Sequence, residues 1–259
     1  MLKAFARGRL FGEAYGTSTP WVLALPGWAR THADFDEVLA PRRGEDELDA
    51  IALDAIALDL PGFGSAPPPE DAWGSLEYAT LVEEILEEMA PQVVLAGHSF
   101  GGRVALHIAA RNPERICALL LTAAPVCRLS QPGGRPALRY RLVRSLARAG
   151  LLPPGALEAA RRRFGSRDYA AAQGVMREVL VRVVNETYEE QLASLRCPVE
   201  LIWGDQDHDV PLEIARQVDL KLRETGEASG TLAVLPGTGH LTPTEAPDEI
   251  RAAILRHRP

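Results

Sequence analysis

The sequence predicts an α/β protein, a mostly parallel central sheet with helices on both faces and one inserted helical segment. Short apolar runs alternate with helix-length segments along the 259 residues, the pattern of strand–crossover–strand units. One run, Val93–Val94–Leu95–Ala96, ends in Gly97–His98–Ser99–Phe100–Gly101 and passes directly into helical sequence from Arg103 to Ala110. Residues 125–197 have helical composition and no core strand, which divides the chain into core (1–124), insertion (125–197) and core again (198–259).

In chain order, Leu10 to Tyr15 belongs to an early hairpin, and Trp21 to Leu25 is the first central strand. Ile56 to Asp59 forms the next, before the turn Leu60–Pro61–Gly62–Phe63–Gly64. Leu76 to Met89 reads as one amphipathic helix, with Glu83, Glu84, Glu87 and Glu88 as a solvated face rather than a metal site. After the Val93 strand come Ile116 to Leu121, Val199 to Trp203 and Thr231 to Leu235, the last expected to be buried. Asp49–Ala–Ile–Ala–Leu is repeated at once from Asp54, a tandem duplication that lengthens a loop or offers a strand two registers.

Composition narrows the function. At 46% hydrophobic the chain can bury a substantial core within one domain, and a net charge of −7 argues against a nucleic-acid partner. No long apolar run follows the N-terminal residues and no membrane span is expected, so a cytoplasmic location is the expectation. Cys117, Cys127 and Cys197 are odd in number and lie in apolar sequence, which suits reduced, buried thiols. No His, Cys and carboxylate cluster has metal-ligand spacing, and neither a metal nor a cofactor is expected.

The chemistry centres on Ser99. A residue on so sharp a strand-to-helix turn is forced toward unfavourable backbone angles, and side chains at 97 or 101 would collide with neighbouring backbone. The turn lifts the hydroxyl clear of the sheet and aims the unsatisfied N–H groups of a helix start at developing negative charge. A serine needs a base, and the base an orienting acid. His240, in the glycine-flanked loop Gly237–Thr238–Gly239–His240 after a strand, is the candidate base. The turn after Val199 to Gly204 supplies three carboxylates, Asp205, Asp207 and Asp209. His98 is expected to pack under the turn; His107 lies on the helix two turns beyond Ser99, His208 in the acid turn and His257 in the fraying tail, and none of them is expected to act in the chemistry; His32 lies on a loop expected to border the site.

In these residues and their order the chain resembles an α/β-hydrolase-fold serine hydrolase, esterase-like and with a helical lid. The resemblance covers nearly the whole length. In such enzymes the acid follows a strand as Gly-x-x-Asp with Val-Pro soon after, which falls on Gly204–Asp207 and Val210–Pro211 and selects Asp207. Asp205 and Asp209 are then turn-forming or capping carboxylates. The resemblance implies oxyanion donors at the Phe100 and Trp28 N–H groups, although Pro26 stands where the family's His-Gly-x loop has histidine. Trp28 and Phe100 side chains would wall an apolar acyl pocket. It implies cleavage of a carboxylic ester or related small acyl compound through an acyl-enzyme. Carbon–carbon hydrolases, thioesterases and perhydrolases share the triad, and a non-catalytic binding protein could share the scaffold. The insertion would be the lid. Its thirteen Arg against six acidic residues, including Arg139, Arg141, Arg144, Arg148 and Arg161–Arg162–Arg163, suit a solvated basic face; the alternative is attraction of anionic substrates.

Overall fold

A computed structural model describes residues 2–41, 52–128 and 167–259. The arginines from Arg139 to Arg163 and the start of the first repeat, Asp49–Ala50–Ile51, lie outside the described residues.

Eight strands, β1 (Leu2–Phe5), β2 (Leu10–Tyr15), β3 (Val22–Leu25), β4 (Ala55–Asp59), β5 (Val93–His98), β6 (Ile116–Thr122), β7 (Val199–Gly204) and β8 (Gly230–Leu235), form one sheet in the order β1-β2-β4-β3-β5-β6-β7-β8. β1 pairs with β2 and β2 with β4 antiparallel, and the remaining pairs are parallel. The predicted hairpin and parallel core are therefore both present. Among the described residues the α-helices are α1 (Asp36–Leu39), α2 (Ser75–Glu83), α3 (Phe100–Arg111), α4 (Arg167–Ala171), α5 (Gly174–Val183), α6 (Glu189–Ser194), α7 (Leu212–Thr225), α8 (Thr242–Glu245) and α9 (Pro247–Arg256).

The period of two along each strand sorts side chains into two cores. Leu23, Leu25, Val93, Leu95, Leu119, Leu121, Leu201 and Trp203 face one side, where α2, α3 and α7 cover them. Val22, Ala24, Val94, Ala96, Ala118, Leu120 and Ile202 face the other, against Val38 and Leu39 of α1 and Ile250, Ala253 and Ile254 of α9. Because both faces are covered, the central strands read as unbroken apolar runs rather than alternating ones.

Three expectations change. The helix expected from Leu76 to Met89 is α-helical only to Glu83 and continues as a 3₁₀ turn over Glu84–Glu88. Four carboxylates in its last turns oppose the negative end of the helix dipole, so a longer α-helix is disfavoured there. β8 is an edge strand with Thr231, Ala233 and Val234 exposed, not a buried one, since it has β7 on one side only. Of the duplicated segments, the second becomes β4: the Asp54 carboxylate accepts the Thr17 and Ser18 N–H groups at 2.9 and 2.8 Å and so pins the register. Leu53, from the first copy, is buried and its N–H bonds to Leu39 O at 3.0 Å.

The three cysteines are free thiols. Burial pushes both Cys127 and Cys197 up to about 11, which leaves them protonated and unreactive.

Between β6 and β7 the described residues contain α4, α5 and α6. A buried polar network ties this segment to the core. Glu186 accepts the Ser75 N–H at 3.0 Å, the Ser75 hydroxyl at 2.5 Å and the Tyr188 hydroxyl at 2.7 Å. His107 Nε2 meets the same Ser75 hydroxyl at 3.1 Å, and Arg103 donates to Val183 O. His107 is thereby structural, with burial lowering its pKa.

Candidate active site

Ser99 stands between β5 and α3 with φ +48° and ψ −109°, a left-handed geometry that costs a non-glycine residue about 1–3 kcal/mol. Its N–H is held by Thr122 O at 2.9 Å. The turn closes only because its neighbours lack side chains. A Cβ on Gly97 would lie 2.6 Å from Gly102 Cα, and one on Gly101 2.2 Å from Leu25 O.

His240 and Asp207 come to Ser99 from the C-terminal ends of β8 and β7. The Asp207 carboxylate can only accept, so the His240 proton lies on Nδ1, which donates to Asp207 Oδ2 at 2.9 Å. Nε2 is then free to accept the Ser99 hydroxyl, 3.2 Å away. The other carboxylate oxygen, Asp207 Oδ1, accepts the Asp209 and Val210 N–H groups at 2.9 and 2.8 Å. Asp207 is thus buried with both oxygens occupied. Asp205 sits elsewhere, its Oδ1 accepting the Gly237 N–H at 2.8 Å. Asp209 offers Asp207 its backbone N–H.

Burial opposes a charged imidazole at His240, but the Asp207 hydrogen bond and the charges of Asp207, Asp209 and Asp168 outweigh it and raise the pKa above 6.5. His98 behaves oppositely. It is fully buried, its Nδ1 meets Thr122 Oγ1 at 3.0 Å, and burial followed by the His240 charge pushes its pKa down to about 3. Its ring lies 5.1 Å from that of His240, so two adjacent imidazoles titrate far apart.

Phe100 opens α3, where the first N–H groups have no intrahelical partner. Gly27 packs on this turn from the β3 side: a Cβ there would sit 3.4 Å from Ser99 Cβ. Trp28 follows, and its ring packs edge-on against Phe63 at 4.8 Å and Phe100 at 5.5 Å, forming with them an aromatic wall. With Pro26 in place of histidine, this loop is braced from its far end. His32 donates its backbone N–H and Nδ1–H to buried Asp59 at 2.9 and 2.7 Å, and Asp59 also takes the Ser65 N–H at 2.9 Å. Asp59 therefore couples the loops after β3 and β4, and His32 is part of that brace. His208 is exposed, and His257 pairs with Glu200 at 2.6 Å.

Glu245 carries no sequence signal, and Gly204 only its place in the Gly-x-x-Asp pattern. A Cβ on Gly204 would lie 2.1 Å from Thr238 O, so this glycine lets the loop bearing His240 close on the acid turn. Since the obstacle is backbone, Gly204→Ala is expected to destabilise the fold by about 1–3 kcal/mol, read as a lower midpoint of denaturant unfolding at unchanged slope.

The model of the alpha/beta hydrolase family matches residues 22–253, and the chain belongs to that family. An uncharacterised hydrolase, YugF, of Bacillus subtilis (strain 168) is 30% identical over 218 residues, covering 76% of this chain and 77% of that protein. A pimeloyl-[acyl-carrier protein] methyl ester esterase of Yersinia enterocolitica is 26% identical over 200 residues, 71% of this chain and 74% of that one. Among solved structures, a putative lipase from Acinetobacter baumannii superposes with a TM-score of 0.69 over 99% of this chain and 90% of that chain, at 18% identity. No helix among the described residues is long and apolar enough to cross a membrane.

Proposed function

We propose that the protein is a serine hydrolase that cleaves a carboxylic ester or related small acyl compound through an acyl-enzyme. The observation that carries this is the continuous line Ser99 Oγ–His240 Nε2, His240 Nδ1–Asp207 Oδ2, at 3.2 and 2.9 Å, with the serine on a strained turn at a helix start. The name of the Yersinia relative, a methyl ester esterase, supports an ester as substrate.

In this reading Ser99 attacks the carbonyl carbon while His240 Nε2 takes its proton. Asp207 holds the imidazole in the required tautomer and stabilises its positive charge. The oxyanion that forms lies against the Phe100 and Trp28 N–H groups. His240 then protonates the departing alkoxide, and a water, deprotonated by the same nitrogen, releases the acid. The aromatic wall of Trp28, Phe63 and Phe100 favours an apolar group beside the reacting carbon. In this reading residues 125–197, helical in composition and net basic, serve as the lid.

A panel of p-nitrophenyl esters of increasing chain length, run beside a fluorophosphonate probe, tests the reading. Turnover with labelling of Ser99 supports it. Labelling without ester turnover moves the substrate to another acyl or carbon–carbon class, and neither signal leaves a binding protein on this scaffold. The pH profile is a further check. The base must be neutral to accept a proton, so kcat/KM is expected to rise with pH through one ionisation displaced above 6.5 and then to level off. His98, held near 3, contributes no second step in this range.

A further inference from the structure

Glu245 ends α8 and turns its carboxylate back onto the loop before that helix. Oε2 accepts the Gly239 N–H and Oε1 the Leu241 N–H, the latter at 3.2 Å, so one side chain holds the backbone on both sides of His240. The fit is close, since a Cβ on Gly239 would lie 3.1 Å from Oε2 and 3.2 Å from Oε1. The helix adds return contacts: the Glu245 N–H and the Thr244 hydroxyl donate to Leu241 O at 2.9 and 3.0 Å, and the Thr242 N–H to His240 O at 2.9 Å. At the other end of the loop, Gly237 is tied to Asp205 and the Gln206 N–H donates to Thr238 O at 3.0 Å. The backbone bearing the imidazole is thus clamped from two directions, and among the described residues Glu245 is the side chain that reaches the Gly239 and Leu241 N–H groups on either side of His240.

We propose that Glu245 is a positioning residue acting through His240. Holding the Thr238–Gly239 and His240–Leu241 peptides restricts the course of the backbone through His240 and so the direction of its Cα–Cβ bond. That direction lets Nδ1 meet Asp207 at 2.9 Å while Nε2 meets Ser99 at 3.2 Å. A carboxylate suits the task because two converging N–H groups call for an acceptor with two oxygens and negative charge. Displacing a reacting group by about 1 Å lowers rates on the order of 10²-fold. The inference rests on the reading of Ser99, His240 and Asp207 as a catalytic triad.

The test compares Glu245→Ala, Glu245→Gln, His240→Ala and the double variant His240→Ala/Glu245→Ala for kcat, KM, the rate of phosphonate labelling at Ser99 and thermal midpoint. Glu245→Ala is expected to lower kcat and the labelling rate about 10- to 100-fold with KM nearly unchanged. Glu245→Gln, which keeps one acceptor oxygen, falls between. In the His240→Ala background, Glu245→Ala is expected to add no further loss. A wild-type kcat in Glu245→Ala overturns the inference, as does an equal loss in both backgrounds, the mark of a merely structural role. A readout that needs no substrate separates this from the proposed function. The ¹H NMR resonance of His240 Nδ1–H, shifted downfield by its bond to Asp207, is expected to weaken or move in Glu245→Ala. Unchanged, it overturns the role of Glu245; a wild-type chain that neither labels nor turns over esters overturns the triad reading instead.

Discussion

Ser99→Ala is expected to abolish labelling by a serine-directed phosphonate and to lower ester turnover on the order of 10⁶-fold, while the chain stays folded. The change removes one oxygen. The backbone bond from residue 99 to Thr122 O is kept, and a positive φ is already adopted by Ala29 and Ala123 in this chain, at +54° and +49°, so alanine is no worse suited to the turn than serine. His240 loses its hydrogen-bond partner on Nε2 but retains Asp207 on Nδ1. Equal far-UV circular dichroism and an unchanged melting temperature, with turnover gone, is the expected pattern. Covalent labelling that persists at another serine would remove Ser99 from the role of nucleophile.

The sheet was legible because its central strands are buried on both faces and are therefore written as uninterrupted apolar runs. The elbow was legible for a related reason. A turn in which a Cβ on either Gly97 or Gly101 would come within 3 Å of another backbone atom admits few sequences. β8 misled because its composition is that of an interior strand, whereas its place at the sheet edge follows from the order of the strands, which no local pattern records. The length of α2 misled because hydrophobic spacing says nothing of carboxylates crowding a helix end. At the site, residues with chemistry and fixed spacing could be read. What could not were contacts made by backbone: Glu245 on the N–H groups beside His240, Asp59 across two loops, and Gly204 beneath Thr238. A carboxylate ten residues past a strand end or a glycine closing a strand is common, and only the folded chain shows what each one touches.

Asp207→Asn is expected to lower kcat/KM on the order of 10⁴-fold with the fold intact, the size of loss found when the orienting aspartate of a serine triad becomes an amide. The orientation of the new side chain follows from its neighbours. Oδ1 of Asp207 accepts two backbone N–H groups, from Asp209 and Val210, so the asparagine carbonyl oxygen must take that side. Its –NH₂ then faces His240 Nδ1, where Oδ2 accepts now. Two donors cannot share that contact, so Nδ1 gives up its proton and Nε2 carries it, which leaves the base unable to accept from Ser99. The Asp207 hydrogen bond and charge are what raise the His240 pKa against its burial, so the ionisation in the residual activity is expected to move to lower pH. Asp205→Asn provides the contrast. Asp205 takes a single N–H, that of Gly237, and an amide oxygen can replace the carboxylate there, so a loss of no more than about 10-fold is expected. Side-by-side pH–rate profiles decide the matter. A large loss with an acid-shifted ionisation in Asp205→Asn, and not in Asp207→Asn, would move the orienting acid two residues back along the turn.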